Sequence, residues 1–288
     1  MKSAKWIIFN LHFWSSFLDT TINIAVIPYL FIPLPAAAGL GLLTYFGAPP
    51  LLQSHLIVSG AYTLGAALVA FFENRYDILV IGPNRSNYRN PIRYIVFLLI
   101  HIFVWTFLLP FYYYMPSREL GVQYAKTMFP CIPDSVYSMP SFGFLTTHGG
   151  QLGTIAFIVA IALVLPCVYF GMQTAWFIFT RSTVSANTKK AQITFFIAMF
   201  LQAFIPTMII LLPNSYFLFS FWTGYFNMAL NSIAEIFVSC HGLFSTIVML
   251  SVHKPYRDAV KKLFKFNQKV EIKSIKSTTN GNSHISVR

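Results

Sequence analysis

LGTIAFIVAIALVLPCVYFGMQTAWFIF, residues 152–179, runs for 28 residues without a charged side chain. A helix needs roughly 20 mainly apolar residues, at about 1.5 Å each, to cross a hydrocarbon core of about 30 Å. This stretch therefore reads as a membrane-spanning helix. Working outward from it, residues 6–34, 51–72, 92–113, 191–212 and 226–252 meet the same criterion, with 6–34 the most polar. The expected fold is all-α, a polytopic transmembrane helix bundle with six spans.

Composition agrees. The chain is 56% hydrophobic, 17% aromatic and 10% charged, against about 25% charged residues in an ordinary soluble domain. Thirty Phe and fifteen Tyr exceed what one compact core can hide, so most of the apolar surface must face lipid or neighbouring helices. A net charge of +12 would suit nucleic-acid binding only if the basic residues formed a soluble patch. They sit instead in the gaps between apolar runs, and no nucleic-acid partner is expected. Cys131, Cys167 and Cys240 show no CxxC spacing, which argues against a zinc site or a disulfide framework.

The same basic residues orient the chain, because short cytoplasmic loops collect Lys and Arg. With the amino terminus inside, eighteen of the twenty fall on the cytoplasmic side, among them Lys2, Lys5, Arg75, Arg85, Arg89, Arg93, Arg181, Lys189 and Lys190. Arg118 and Lys126 alone fall outside. The bundle then occupies residues 1–252, and 114–151 form a large external loop, broken by Pro116, Pro130, Pro133, Pro140 and Gly149-Gly150 and expected to fold over the bundle mouth. Residues 253–288 are cytoplasmic: a juxtamembrane helix in which Arg257, Lys261, Lys262 and Lys265 alternate with apolar residues, suited to the anionic inner leaflet, then a basic disordered tail.

Polar residues inside the spans are the candidate functional groups. In the first helix His12, Ser16, Asp19 and Asn23 fall on one narrow stripe. In the sixth, Asn227, Asn231, Glu235 and Ser239 make another. Counted from the cytoplasmic helix ends, Asp19 and Glu235 differ in depth by only about 6 Å, so the two carboxyls can meet. Either each is a structural group satisfied by Ser and Asn, or the two share a cation or a proton. His55, His101, His148 and His241 lie singly, with no HxxxH or HExxH pair, so bundle lining is the better assignment and no metal or cofactor is expected. Aromatic residues 111–114 and 222–226 read as an interfacial belt or as pocket walls.

Five motifs, in order along the chain, resemble those of the class H serpentine chemoreceptors of nematodes, a family of seven-helix G-protein-coupled receptors. They are Lys2-Ser3-Ala4-Lys5-Trp6, Asn10-Leu11-His12-Phe13-Trp14-Ser15, Phe72-Glu73-Asn74-Arg75-Tyr76, Pro130-Cys131-Ile132-Pro133 and His253-Lys254-Pro255-Tyr256-Arg257. The resemblance implies that Glu73-Asn74-Arg75-Tyr76 stands where rhodopsin-like receptors carry an acidic-Arg-Tyr motif, with Arg75 held by an acid at rest and turned to the G protein on activation. Asn74 separates Glu73 from Arg75, so another acid is expected to hold Arg75, Asp77 being one candidate. His253 to Arg257 would complete the coupling face. The rhodopsin-like disulfide is in doubt, because Cys131 finds no cysteine near Leu51.

By the same resemblance the six spans correspond to helices two to seven, the front of the chain resembling the family's first cytoplasmic loop. The implied function is a chemosensory receptor in the plasma membrane of sensory neurons, binding a small external chemical ligand and activating a heterotrimeric G protein, with membrane lipids around it. No ligand-binding residues are assigned, and no catalysis is expected, since no GxSxG, HExxH or clustered His/Cys set is found. The alternative is a transporter or channel using the buried carboxyl groups, disfavoured by the absence of internal repeats or paired central Gly/Pro breaks.

Overall fold

The computed structural model describes residues 2–82, 89–130, 132–144, 146, 149–181, 185–252, 257–258 and 261–262, with backbone alone for 2–5. The chain opens with α1, Lys2–Thr20, continued by a π-helical turn, Thr21–Val26. It ends there because Ile27 is left-handed (φ 46°) and Pro28 follows. Residues 28–34, expected inside the first span, instead leave the helix: β1, Pro28–Leu30, pairs antiparallel with β2, Ala36–Gly39. Then come α2, Leu42–Tyr45, and α3, Pro50–Tyr76, begun by Pro50 in its first turn and prolonged by a π-helical turn, Asp77–Ile81.

After α4, Arg89–Thr106, and α5, Leu109–Tyr113, the segment expected as an irregular loop carries regular structure of its own: α6, Arg118–Met128, α7, Asp134–Tyr137, and β3, Phe142–Phe144. β3 pairs with β2, giving a three-stranded sheet in the order β1-β2-β3. Gly143 is needed there, since a Cβ would stand 2.6 Å from Cβ of Pro50. The last helices are α8, Gly149–Trp176, continued by a π-helical turn, Phe177–Arg181; α9, Ala186–Thr223; α10, Met228–Ser239; and α11, His241–Val252. The expected span 226–252 is thus interrupted at Cys240, and the span expected at 191–212 runs through to Thr223. Pro166 in α8 and Pro206 and Pro213 in α9 lie within helices, which a membrane bundle tolerates because neighbouring groups satisfy the freed carbonyls.

Among the described residues five helical stretches are long and apolar enough to cross a membrane: Pro50–Ile81, Arg89–Tyr113, Gly149–Thr180, Ala186–Thr223 and Met228–Val252. α1, expected as a sixth, falls short in apolarity because His12, Asp19 and Asn23 interrupt it. It nevertheless packs into the bundle. Leu11, Leu18 and Ile22 share a core with Leu64, Ala67, Phe71 and Phe72 of α3 and Met199 and Ala203 of α9. α3 is the central helix, buried along its length and rich in small residues on its inward faces (Ser59, Gly60, Thr63, Ala66, Ala67), which lets helices approach closely without a hydrophobic drive between them. Large apolar side chains such as Leu98, Ile158, Leu165, Leu212 and Ile236 point outward, the inverse of a soluble domain.

A second core sits at one end of the bundle, hereafter the sheet end. Phe31, Leu34, Ala38, Ile132, Tyr137, Phe142 and Phe144 pack together there, so the segment after α5 folds onto the residues after α1. Arg118 ties it down, its Nη2 donating to the carbonyls of Tyr137 (3.1 Å) and Met139 (2.7 Å). The opposite, basic end carries Arg75, Arg89, Arg93, Arg181, Lys189 and Lys190.

Candidate functional site

At the basic end Glu73, near the end of α3, and Asp77, the first residue of the π-helical turn that prolongs it, lie four residues apart, hence on one helical face, and both are buried. Arg89 and Arg93 lie four apart on α4 and meet them. Arg93 donates to Glu73 Oε2 from Nε (2.8 Å) and Nη2 (2.5 Å), and to Asp77 Oδ2 from Nη1 (2.8 Å). Arg89 donates to Asp77 Oδ1 from Nε (2.6 Å) and to Glu73 Oε1 from Nη2 (3.3 Å). Asn74 Oδ1 accepts from Arg93 Nη2 at 3.4 Å. Two carboxylates thus meet two guanidinium groups, with Arg forks suited to bidentate pairing.

Arg75 takes no part. Two residues from both acids, it projects from a different face of α3, and its guanidinium lies 4.5 Å from the ring centroid of Phe195 on α9. The expectation that a neighbouring acid such as Asp77 holds Arg75 is corrected on that ground. Residues at i and i+2 of a helix do not face each other. Tyr76 packs on Phe170 and Tyr169 of α8. Of the second coupling motif Arg257 alone is described, its Nη1 donating to the Ser251 carbonyl at 2.9 Å. His253, Lys254, Pro255 and Tyr256 lie outside the described residues, as do Cys131, His148, Arg85 and 263–288.

The two polar stripes meet, though not through their carboxyls. Asp19 faces His241, with Oδ1 at 3.4 Å from Nε2, rather than Glu235. His241 Nδ1 lies 2.8 Å from the Val238 carbonyl. Nδ1 therefore carries a proton, and a neutral ring would turn a bare Nε2 lone pair toward the carboxylate. The interruption at Cys240 supplies the rest of the site: it frees the first N–H groups of α11, where the Asp19 carboxyl group lies against Gly242. It also leaves the Ser239 carbonyl, to which Asn23 Nδ2 donates at 3.2 Å. A Cβ at Gly242 would occupy the place of the Asp19 carboxyl group. Ser16 lines a small polar recess of about 50 Å³ beside Asp19 and Gly242, and His12 Nε2 lies 3.4 Å from Gln202 Nε2 on α9.

Asn227 and Asn231 are structural. Asn227 caps α10, its Oδ1 accepting from Leu230 N at 3.1 Å. Buried Asn231 donates to the Ile32 carbonyl (2.8 Å) and accepts from Tyr216 Oη (2.9 Å), so it fastens the turn after β1 to α9 and α10. Glu235, one turn further along α10, lines a cavity of about 410 Å³.

This cavity lies beneath the sheet, walled by α1, α3, α8, α9 and α10, with Leu30, Ala36 and Gly39 at its sheet end. Its walls are mainly apolar, within the range of pockets that hold small molecules. Of the aromatic residues 111–114, Phe111 and Tyr112 line it, while Tyr113 and Tyr114 are exposed. His55, buried on α3, lies 5.7 Å from the Tyr112 ring centroid and 5.8 Å from that of Trp105. The sequence reading singled out neither Arg89 nor Arg93 as a partner of Glu73 and Asp77, although their matching spacing of four was visible.

An apolar helix bundle with a roofed cavity at one end and a buried ion cluster at the other fits a multi-pass membrane protein. The chain belongs to the family of serpentine type 7TM GPCR chemoreceptors Srh, which it matches over residues 1–266. It is similar to serpentine receptor class H-72 of Caenorhabditis elegans, with 21% identity over 97% of this chain and 81% of that protein.

Proposed function

We propose that this chain is a chemosensory receptor of the plasma membrane of sensory neurons, which takes a small external ligand into the cavity beneath the sheet and activates a heterotrimeric G protein at its basic end. One observation carries the reading. The central helix α3 both walls the cavity, through His55, Val58 and Ala61, and ends in the Glu73–Asp77 ion cluster with Arg75 beside it. A ligand that prefers one arrangement of α3 biases the far end, and only its difference in affinity between the two states does that work.

In this reading the basic end is cytoplasmic, the sheet is external, and α1 crosses as a sixth span with its polar stripe turned to α9 and α11. Glu73, Asn74, Arg75 and Tyr76, with His253 to Arg257, form the coupling face. The test is nucleotide exchange on a purified G protein by receptor in vesicles, basal and with an odorant panel, for wild type, Arg75→Ala and Arg75→Lys in matched amounts. Arg75→Ala is expected to abolish stimulated exchange. Arg75→Lys is expected to lose most of it, because an ammonium replaces a planar fork poorly. Full exchange by Arg75→Lys would reduce Arg75 to a lipid-headgroup anchor. The transporter reading draws on Asp19 and Glu235 inside one bundle, and solute flux in the same vesicles without exchange would favour it.

A further inference from the structure

Glu235 stands apart from the other carboxyl groups within the bundle. Asp19 meets His241 and Gly242, while Glu73 and Asp77 hold two arginines. Glu235 is half-buried on α10 against the cavity, with neither a hydrogen bond nor an ion pair among the described residues. No lysine or arginine lines the cavity among those residues. Three histidines do, but His241 is turned to Asp19, His12 to Gln202, and His55 sits between Trp105 and Tyr112. The remaining wall is mainly apolar and aromatic, including Tyr62, Phe111, Tyr112, Phe157, Phe217 and Phe221, with neutral polar side chains such as Gln53, Thr207 and Asn214 among them.

The chemistry of such a site selects its occupant. An unpartnered carboxylate in apolar surroundings is costly, and filling the cavity with a neutral apolar molecule strips it of water as well. An anionic molecule adds like-charge repulsion. A cation relieves the cost by pairing with the carboxylate. We infer that the cavity takes a lipophilic amine, a small molecule whose apolar body fills the space beneath the sheet and whose one cationic nitrogen seats at the Glu235 carboxyl group. This rests on the receptor reading above and names the ligand class of the same cavity.

The experiment uses the full chain in lipid nanodiscs, with octylamine, octanol and octanoate as probes and empty nanodiscs to subtract partition into lipid. Octylamine is expected to bind at least about tenfold more tightly than octanol, the least that a desolvated charge pair provides, and octanoate more weakly than either. Glu235→Gln, which keeps the side chain's shape, should lose that advantage and leave octanol unchanged, and Ala61→Phe should weaken all binding by filling the cavity. The wild-type comparison needs no variant to fold. Octanol bound as tightly as octylamine, or octylamine bound equally by Glu235→Gln, overturns the amine class. G-protein exchange driven only by non-amine odorants also overturns it while the receptor reading stands. Glu235-dependent octylamine binding with no exchange on any G protein supports the amine site and sinks the receptor reading instead.

Discussion

At the scale of single residues, Gly242 and Asp19 occupy space that only one of them can fill with side-chain atoms. Gly242→Ala is expected to destabilise the receptor by about 1–3 kcal/mol, the usual cost of forcing a carbon into a packed site. Asp19→Ala vacates that space, so the double variant should be less destabilised than the sum of the two single ones. Thermal melting in detergent checks this, and strict additivity would deny the contact. At the ion cluster, Arg93→Ala removes three guanidinium hydrogen bonds from the buried carboxylates of Glu73 and Asp77. The expected loss is about 3 kcal/mol or more, partly restored by Glu73→Gln in the same chain. A melting point unchanged by Arg93→Ala would reduce the cluster to a surface feature. These partnerships were half legible in the sequence. The stripe containing Asp19 is visible from its spacing, but its partner on α11 is not, because the match between two helices depends on where α10 stops. The faces of Glu73, Arg75 and Asp77 follow from helical geometry alone, and the motif resemblance drew attention to Arg75 instead.

Among the elements, the spans inside 51–113 and 152–252 were legible because length and apolarity decide them locally. Their ends were not. Pro28 marks the end of α1 plainly, yet the apolar run through Leu34 masks it, and those residues instead form β1, whose partner β2 pairs in turn with β3, more than a hundred positions away. Ala36-Ala37-Ala38-Gly39 carries no strand propensity. It is a strand because β1 and β3 both hydrogen-bond to it, a fact of tertiary pairing. The roof should therefore depend on the aromatic cluster rather than on the sheet's own preference. Phe142→Ala, which empties the position between Phe31, Tyr137 and Phe144, is expected to cost about 3–5 kcal/mol locally. Hydrogen exchange should rise first in β1, β2 and β3 while the amides of α3 stay protected. Equal rises in α3 and the sheet would show that roof and bundle unfold as one.

For the molecule as a whole, the uneven division of basic residues leads to a topology test. Tags at both ends should be shielded from protease added outside intact cells, and one placed between Arg118 and Cys131 should be cut. An accessible amino-terminal tag would reverse the orientation proposed here. The same arrangement bears on how the protein is made. The polar groups of α1 find their partners far along the chain: His12 at Gln202, Asp19 at His241, and Asn23 at the Ser239 carbonyl, 216 positions away. During synthesis α1 leaves the ribosome long before any of these exist, and on its own it is too polar to settle stably in lipid. If it crosses as proposed, its final seating must wait for the last two helices to emerge. Ribosome-nascent chains stalled just after Thr223 should then leave α1 extractable by alkaline carbonate, whereas chains carried past Val252 should hold it in the membrane.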